Sequence, residues 1–167
     1  MATVRIEAFD VPADDDAAFL ADWAEARTGA TLHRALRADV RPRFVALGTA
    51  APGSGDAYEV VHEDGEPAGA GGAVLIERFA VPAGGDERFT AAWEALRARL
   101  APRRGYLGAR LHRGAGTAQG RFVAVVRWSS PLMHARTLQQ PEVQEAIAAL
   151  PFPGRPALYL PVPRGDA

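Results

Sequence analysis

The sequence predicts an α+β fold in which two related β-α-β-β-α-β units, the first degenerate, pack as a barrel within one chain. Three internal echoes and one alternation of patterns predict it. Val4, Ile6, Glu7, Phe9, Val11, Pro12, Phe19 and Trp23 return as Val74, Ile76, Glu77, Phe79, Val81, Pro82, Phe89 and Trp93, a constant offset of 70 (74 − 4). GATLHR from Gly29 returns as GARLHR from Gly108, and RFVA from Arg43 as RFVA from Arg121. Within each copy, short runs rich in Val, Ile and Phe alternate with stretches of helical spacing.

Each copy opens with a strand, expected over Thr3–Val11 and Val74–Val81 and stopped by Val-Pro-Ala. A helix follows. In the second copy Phe89, Trp93, Leu96 and Leu100 share one helical face, with Asp86 as the expected N-cap. The first copy's helix carries Phe19 and Trp23 and is expected to end near Gly29. Strands on LHR and RFVA come next. The second copy then runs through Ser130 and Pro131, an N-cap followed by proline at the first helical position, into a helix bearing Leu132, Met133 and Leu138. Pro141 opens another helix with Val143, Ile147 and Leu150, and Ala157–Val162 reads as the last strand. The first copy replaces these helices with APGSGD and a strand at Ala57–Val61. Residues 1–63 are thus the degenerate repeat, 64–72 a Gly/Ala-rich linker and 73–167 the complete one. This is the ferredoxin-like order, which leaves one sheet face bare in each unit. Two units cover those faces mutually, so a monomer or a homodimer is expected.

Composition bounds the chemistry. With 48% apolar and 23% charged residues, the chain has the make-up of a soluble domain. No apolar run approaches a membrane span, and the opening lacks the layout of a secretory signal, so a cytoplasmic protein without a membrane partner is expected. A net charge of −1 gives no case for nucleic acid. There is no Cys, no Lys and no Asn, which removes thiol nucleophiles, thiolate metal sites and Schiff-base chemistry. The four histidines form no metal-ligand spacing, and neither a phosphate-binding glycine fingerprint nor a GxSxG elbow is present. Neither metal nor cofactor is expected.

Trp128 ends the RFVAVVRW strand, and alternation puts Phe122, Ala124, Val126 and Trp128 on one face. His134 lies one turn into the next helix. An indole and an imidazole converging there would hold a flat aromatic molecule and move its proton, whereas a core Trp beside a surface His is the plainer reading. His33 and His112, retained in both copies, read as packing residues. Glu7 and Glu77 occupy equivalent strand positions, either facing each other as a coupled pair or, the plainer reading, each bonded to an arginine or pointing to solvent.

The FxxxW helices, the GARLHR strand and RFVAVVRWSS before a helix resemble the antibiotic biosynthesis monooxygenases, small ferredoxin-like proteins that pair into a dimeric α+β barrel. The resemblance covers most of the second copy and about half of the first. It implies a cofactor-independent monooxygenase that oxidises an anthrone-like polyketide with dioxygen, so the implied partners are a small aromatic molecule and oxygen. Trp128 matches the family's strand-end Trp, His134 stands where a Tyr is often found, and Ala124 replaces the expected Asn. Phe122, Ala124, Trp93, Met133 and Arg110 are the expected substrate contacts beside the catalytic pair His134 and Trp128. The alternatives are a non-oxidative, cyclase-like or ligand-binding barrel, and a structural or regulatory barrel with a packed interior. One pocket is expected, in the second half, because the first copy has Ala50 in place of Trp128.

Overall fold

A computed structural model describes residues 3–26, 29–48, 55–65 and 72–163. In chain order the elements are β1 (Thr3–Phe9), α1 (Asp16–Glu25), β2 (Thr31–Ala35), β3 (Phe44–Gly48), β4 (Asp56–Gly65), β5 (Ala73–Ala80), α2 (Asp86–Leu100), β6 (Tyr106–Gly114), β7 (Arg121–Trp128), α3 (Pro131–Leu138), α4 (Pro141–Ala148) and β8 (Gly154–Pro161). The strands close into one barrel in the order β1-β3-β2-β8-β5-β7-β6-β4. Each repeat contributes an antiparallel ferredoxin-like sheet, β4-β1-β3-β2 and β8-β5-β7-β6. The two sheets join at their edges, β2 with β8 and β4 with β6, so the first repeat completes its sheet without a second helix.

Strand alternation sorts the apolar residues into three layers. Val4, Ile6, Val45, Tyr58, Val74, Ile76, Val123, Val125 and Tyr159 fill the barrel interior. The first repeat's outer face, with Leu32, Phe44 and Ala46, lies under Phe19 and Trp23 of α1. The second repeat's outer face is the largest cluster, where α2 buries Phe89, Trp93, Leu96 and Leu100 against the sheet. Phe89 packs between Phe79 and Phe122, with ring centroids 4.7 Å away on each side. Among the described residues no helix is long and apolar enough to cross a membrane.

The structure differs from the sequence reading at several boundaries. β4 extends to Gly65, so Asp64 and Gly65 belong to a strand rather than to a linker; residues 66–71 and Ala50 lie outside the described residues. β8 starts at Gly154, three positions early, because Gly154, Arg155 and Pro156 pair with Phe79, Arg78 and Glu77. Gly85 rather than Asp86 caps α2, and Asp86 instead places its charge in the first turn, where it favours the helix dipole. His33 and His112 are buried inside the barrel, each ring nitrogen against the carbonyl of a neighbouring strand, Val45 at 3.3 Å and Val123 at 3.0 Å. Glu7 and Glu77 do not face each other: β1 and β5 are not neighbours in the barrel, and each glutamate lies opposite an outward alanine, Ala46 or Ala124.

Candidate functional site

Alternation along β7 turns Phe122, Ala124, Val126 and Trp128 towards the helices of the second repeat. The chain then reverses at Ser130, whose hydroxyl accepts from the Met133 backbone N–H at 3.3 Å, and Pro131 begins α3. Gly105, at φ +89, leaves the space in which the Met133 side chain and the Ser129 hydroxyl sit; a Cβ there would overlap both. This local geometry brings His134 back over the strand end. Its ring meets Trp128 edge-on, with centroids 5.7 Å apart and planes at 65°. Tyr106 meets the same indole at 5.8 Å and 84°.

Trp128 and His134 are only 1% and 8% exposed, and neither Trp128 Nε1 nor His134 Nε2 has a hydrogen-bond partner. A buried polar atom left unpaired costs on the order of 1–3 kcal/mol, so two at adjoining rings need an explanation. Burial also holds the His134 pKa below its ordinary value, which leaves a neutral imidazole able to accept a proton at neutral pH.

The first repeat also reaches this face. β4 pairs with β6 through a β-bulge between Val60 and His62. Strict alternation from Tyr58 and Val60, which face the interior, would point His62 and Asp64 inwards too. The extra residue, Val61, puts them instead opposite Leu111 and Ala109, on the helix side. There Asp64 accepts from the Tyr106 hydroxyl at 2.7 Å, the Ala109 N–H at 2.8 Å and Arg97 of α2 at 2.6 Å. Burial disfavours that carboxylate, but the three donors outweigh it and hold its pKa below the usual range. Burial and the bond to Asp64 raise the Tyr106 pKa, so its phenol stays neutral. The His62 ring stands edge-on to Trp93 at 5.3 Å; His62 Nε2, 3.6 Å from Asp64 Oδ2, and Arg97 Nε are also buried without a hydrogen bond. Sequence reasoning missed His62, Asp64, Arg97 and Tyr106.

Of the other expected contacts, Trp93, Phe122 and Ala124 are buried in the helix-side core, and Met133 packs at its margin. Arg110 does not join them. It alternates to the opposite face from Ala109 and Leu111 and pairs with Glu63. Ala124 has Glu77 as its direct cross-strand neighbour on β5. Glu77 has no hydrogen bond or ion pair among the described residues, and burial alone pushes its pKa up to about 7. Its carboxylate and Phe79 pack against the Cα of Gly154, where any side chain would collide with both. No three His, Asp or Glu groups among the described residues converge as metal ligands do. A cavity of about 710 Å³ opens not beside Trp128, as the sequence leads one to expect, but at one end of the barrel interior, where Arg41 and Tyr58 of the first repeat share its wall and neither Trp128 nor His134 does.

Residues 73–149 match the sequence profile of the antibiotic biosynthesis monooxygenases. The matched segment makes up most of the second repeat. It holds the Trp128–His134 pair, while β4 and β8 lie outside it. Solved structures extend the likeness to the whole chain at the level of the fold. An anthrone oxidase-like protein superposes with a TM-score of 0.70 at 13% identity, over 98% of this chain and 93% of its own. A staphylococcal regulator of pathogenesis does so with 0.73 at 12%, over 97% and 100%. SnoaB, a cofactor-independent oxygenase from Streptomyces nogalater solved as an Asn-to-Ala variant, gives 0.50 at 22% identity, over 58% of this chain and 97% of its own. No curated protein sequence matches the chain.

Proposed function

We propose that the chain is a cofactor-independent monooxygenase that oxidises a flat, anthrone-like aromatic ketone with dioxygen on the helix side of its second repeat. The paired orphan nitrogens carry this reading: Trp128 Nε1 donates and neutral His134 Nε2 accepts, at adjoining buried rings. The family of the second repeat and the oxygenase named among the similar folds agree with it.

In this reading the aromatic rings of Trp128 and Tyr106 orient the substrate against the sheet. His134 takes the proton from the acidic ring carbon, and the electron pair delocalises onto the ketone oxygen. Dioxygen adds at that carbon, the peroxide is protonated, and loss of water leaves a second ring carbonyl. Glu77 supplies what Ala124 cannot. A carboxylic acid whose buried site keeps it protonated to about pH 7 can donate to an enolate oxygen, while burial pushes the His134 pKa the opposite way. Four strand positions separate Ala124 from Trp128, roughly 13 Å, the reach of a compact fused-ring system.

Oxygen uptake by chelator-treated protein with an anthrone tests the reading. His134→Ala should lower the rate by about 10²- to 10⁴-fold, the scale of a lost general base. Turnover that continues unchanged under argon would instead establish the non-oxidative alternative.

A further inference from the structure

The inward side of the second repeat carries a feature that the helix-side chemistry does not use. Arg78, Arg121 and Arg155 alternate onto the same side of β5, β7 and β8 as Ile76, Val123 and Tyr159, the barrel interior. In the register of these strands Arg78 lies directly opposite Arg155, and Arg121 lies opposite Ala80. Arg41, from the connection between β2 and β3, joins them at the rim of the 710 Å³ cavity. Below the arginines its wall is Tyr58, Ile76, Val123, Ala157 and Tyr159.

Two of the four arginines have acidic neighbours. Arg121 pairs with Asp56 at 2.7 Å, and Arg41 approaches Asp10 at 4.0 Å. Arg78 and Arg155 have none among the described residues. Like charges directly opposite on neighbouring strands destabilise a sheet, and Arg78 is half-buried as well. A half-buried Arg78 and an exposed Arg155, neither with an acidic partner among the described residues, thus stand at the mouth of a space large enough for a small molecule. A bound anion would remove that cost, and guanidinium groups suit carboxylate and phosphate oxygens geometrically.

We propose that this barrel mouth is a second ligand site, which takes a small molecule with a carboxylate or phosphate group on Arg78 and Arg155 and its apolar body between Tyr58 and Tyr159. The site is separate from the helix-side face and stands whether or not that face consumes oxygen. Calorimetric titration of the full chain with phenyl phosphate, benzoate, inorganic phosphate and phenol tests it. Phenyl phosphate or benzoate should bind more tightly than inorganic phosphate or phenol, and which of the two binds better identifies the head group. Added salt should weaken the binding. Arg78→Gln and Arg155→Gln should each lower the affinity about tenfold or more and leave oxygen uptake with an anthrone unchanged. Without ligand, at low salt, either variant should melt higher than the parent, because two like charges no longer lie opposite each other in the register. Two results overturn the site: neither aromatic anion binding the parent protein in the millimolar range, or both variants binding as the parent does. Should one variant fail to fold, the other carries the comparison.

Discussion

At the scale of single residues, the second repeat holds two titratable groups that burial pushes in opposite directions. The consequence for stability is clearest at Glu77. Its folded pKa of about 7 lies above the value of 4.5 it has when unfolded, so the folded state holds on to a proton that the unfolded chain releases. The native state is favoured below pH 4.5 and progressively penalised as pH rises through 7. Glu77→Gln should therefore raise the unfolding free energy in urea at pH 8 by about 1–2 kcal/mol, once partial solvent contact is allowed for, and change little at pH 5. Equal midpoints at pH 8 would mean that Glu77 is an ordinary solvated carboxylate. His33 and His112 behave in the opposite sense. Burial, opposed by their carbonyl bonds, lowers each pKa to about 4, so stability is complete above 6.5 and falls as pH drops from 6.5 towards 4. Each imidazole accounts for about 3 kcal/mol of that loss. Denaturant titrations at pH 7 and 4.5 should show it, and replacing both histidines with Gln should flatten it.

At the scale of elements, local signals were legible and crossings between elements were not. The alternation of β7 and the Ser130–Pro131 cap lie within a dozen residues, and both place their side chains as the sequence implies. Arg110 went astray because the same alternation, applied to β6, sends it away from Ala109 and Leu111. Asp64 and His62 were illegible for a different reason. The bulge at Val61 breaks the period-2 rule, and the partners of Asp64, Arg97 and Tyr106, lie 33 and 42 residues further along the chain. Through Asp64 the first repeat's last strand fastens α2 and β6 of the second. Asp64→Ala strips a half-buried network of its acceptor and should cost about 1–3 kcal/mol in urea unfolding. It should also slow anthrone turnover, because Tyr106 loses the bond that holds it against Trp128. A variant with full stability and full activity would remove Asp64 from the site.

At the scale of the whole molecule, the duplicated sequence announced both sheets and their mutual packing, but not how the barrel closes. Closure depends on β2 meeting β8 and β4 meeting β6, pairings that no single repeat encodes. Every described strand thereby has two neighbours within its own chain, and no sheet edge is left to recruit another molecule. We therefore expect light scattering to give the mass of one chain. A segment limited to residues 73–149 would lack β8 and expose unpaired strands, so it should associate or fail to fold when expressed alone.

The bulge in β4 has a consequence for how such a protein can change over time. In a symmetric pair of identical subunits every mutation is made twice, so a strand that alters its neighbour's site is altered in turn by its neighbour. Covalent joining releases that constraint. β4 carries the irregularity, while the pairing of its counterpart β8 runs without a shift in register. Variation in the first repeat can thus act on the face of the second that carries Trp128 and His134 with no mirrored effect, and one half of the gene becomes free to reshape the other.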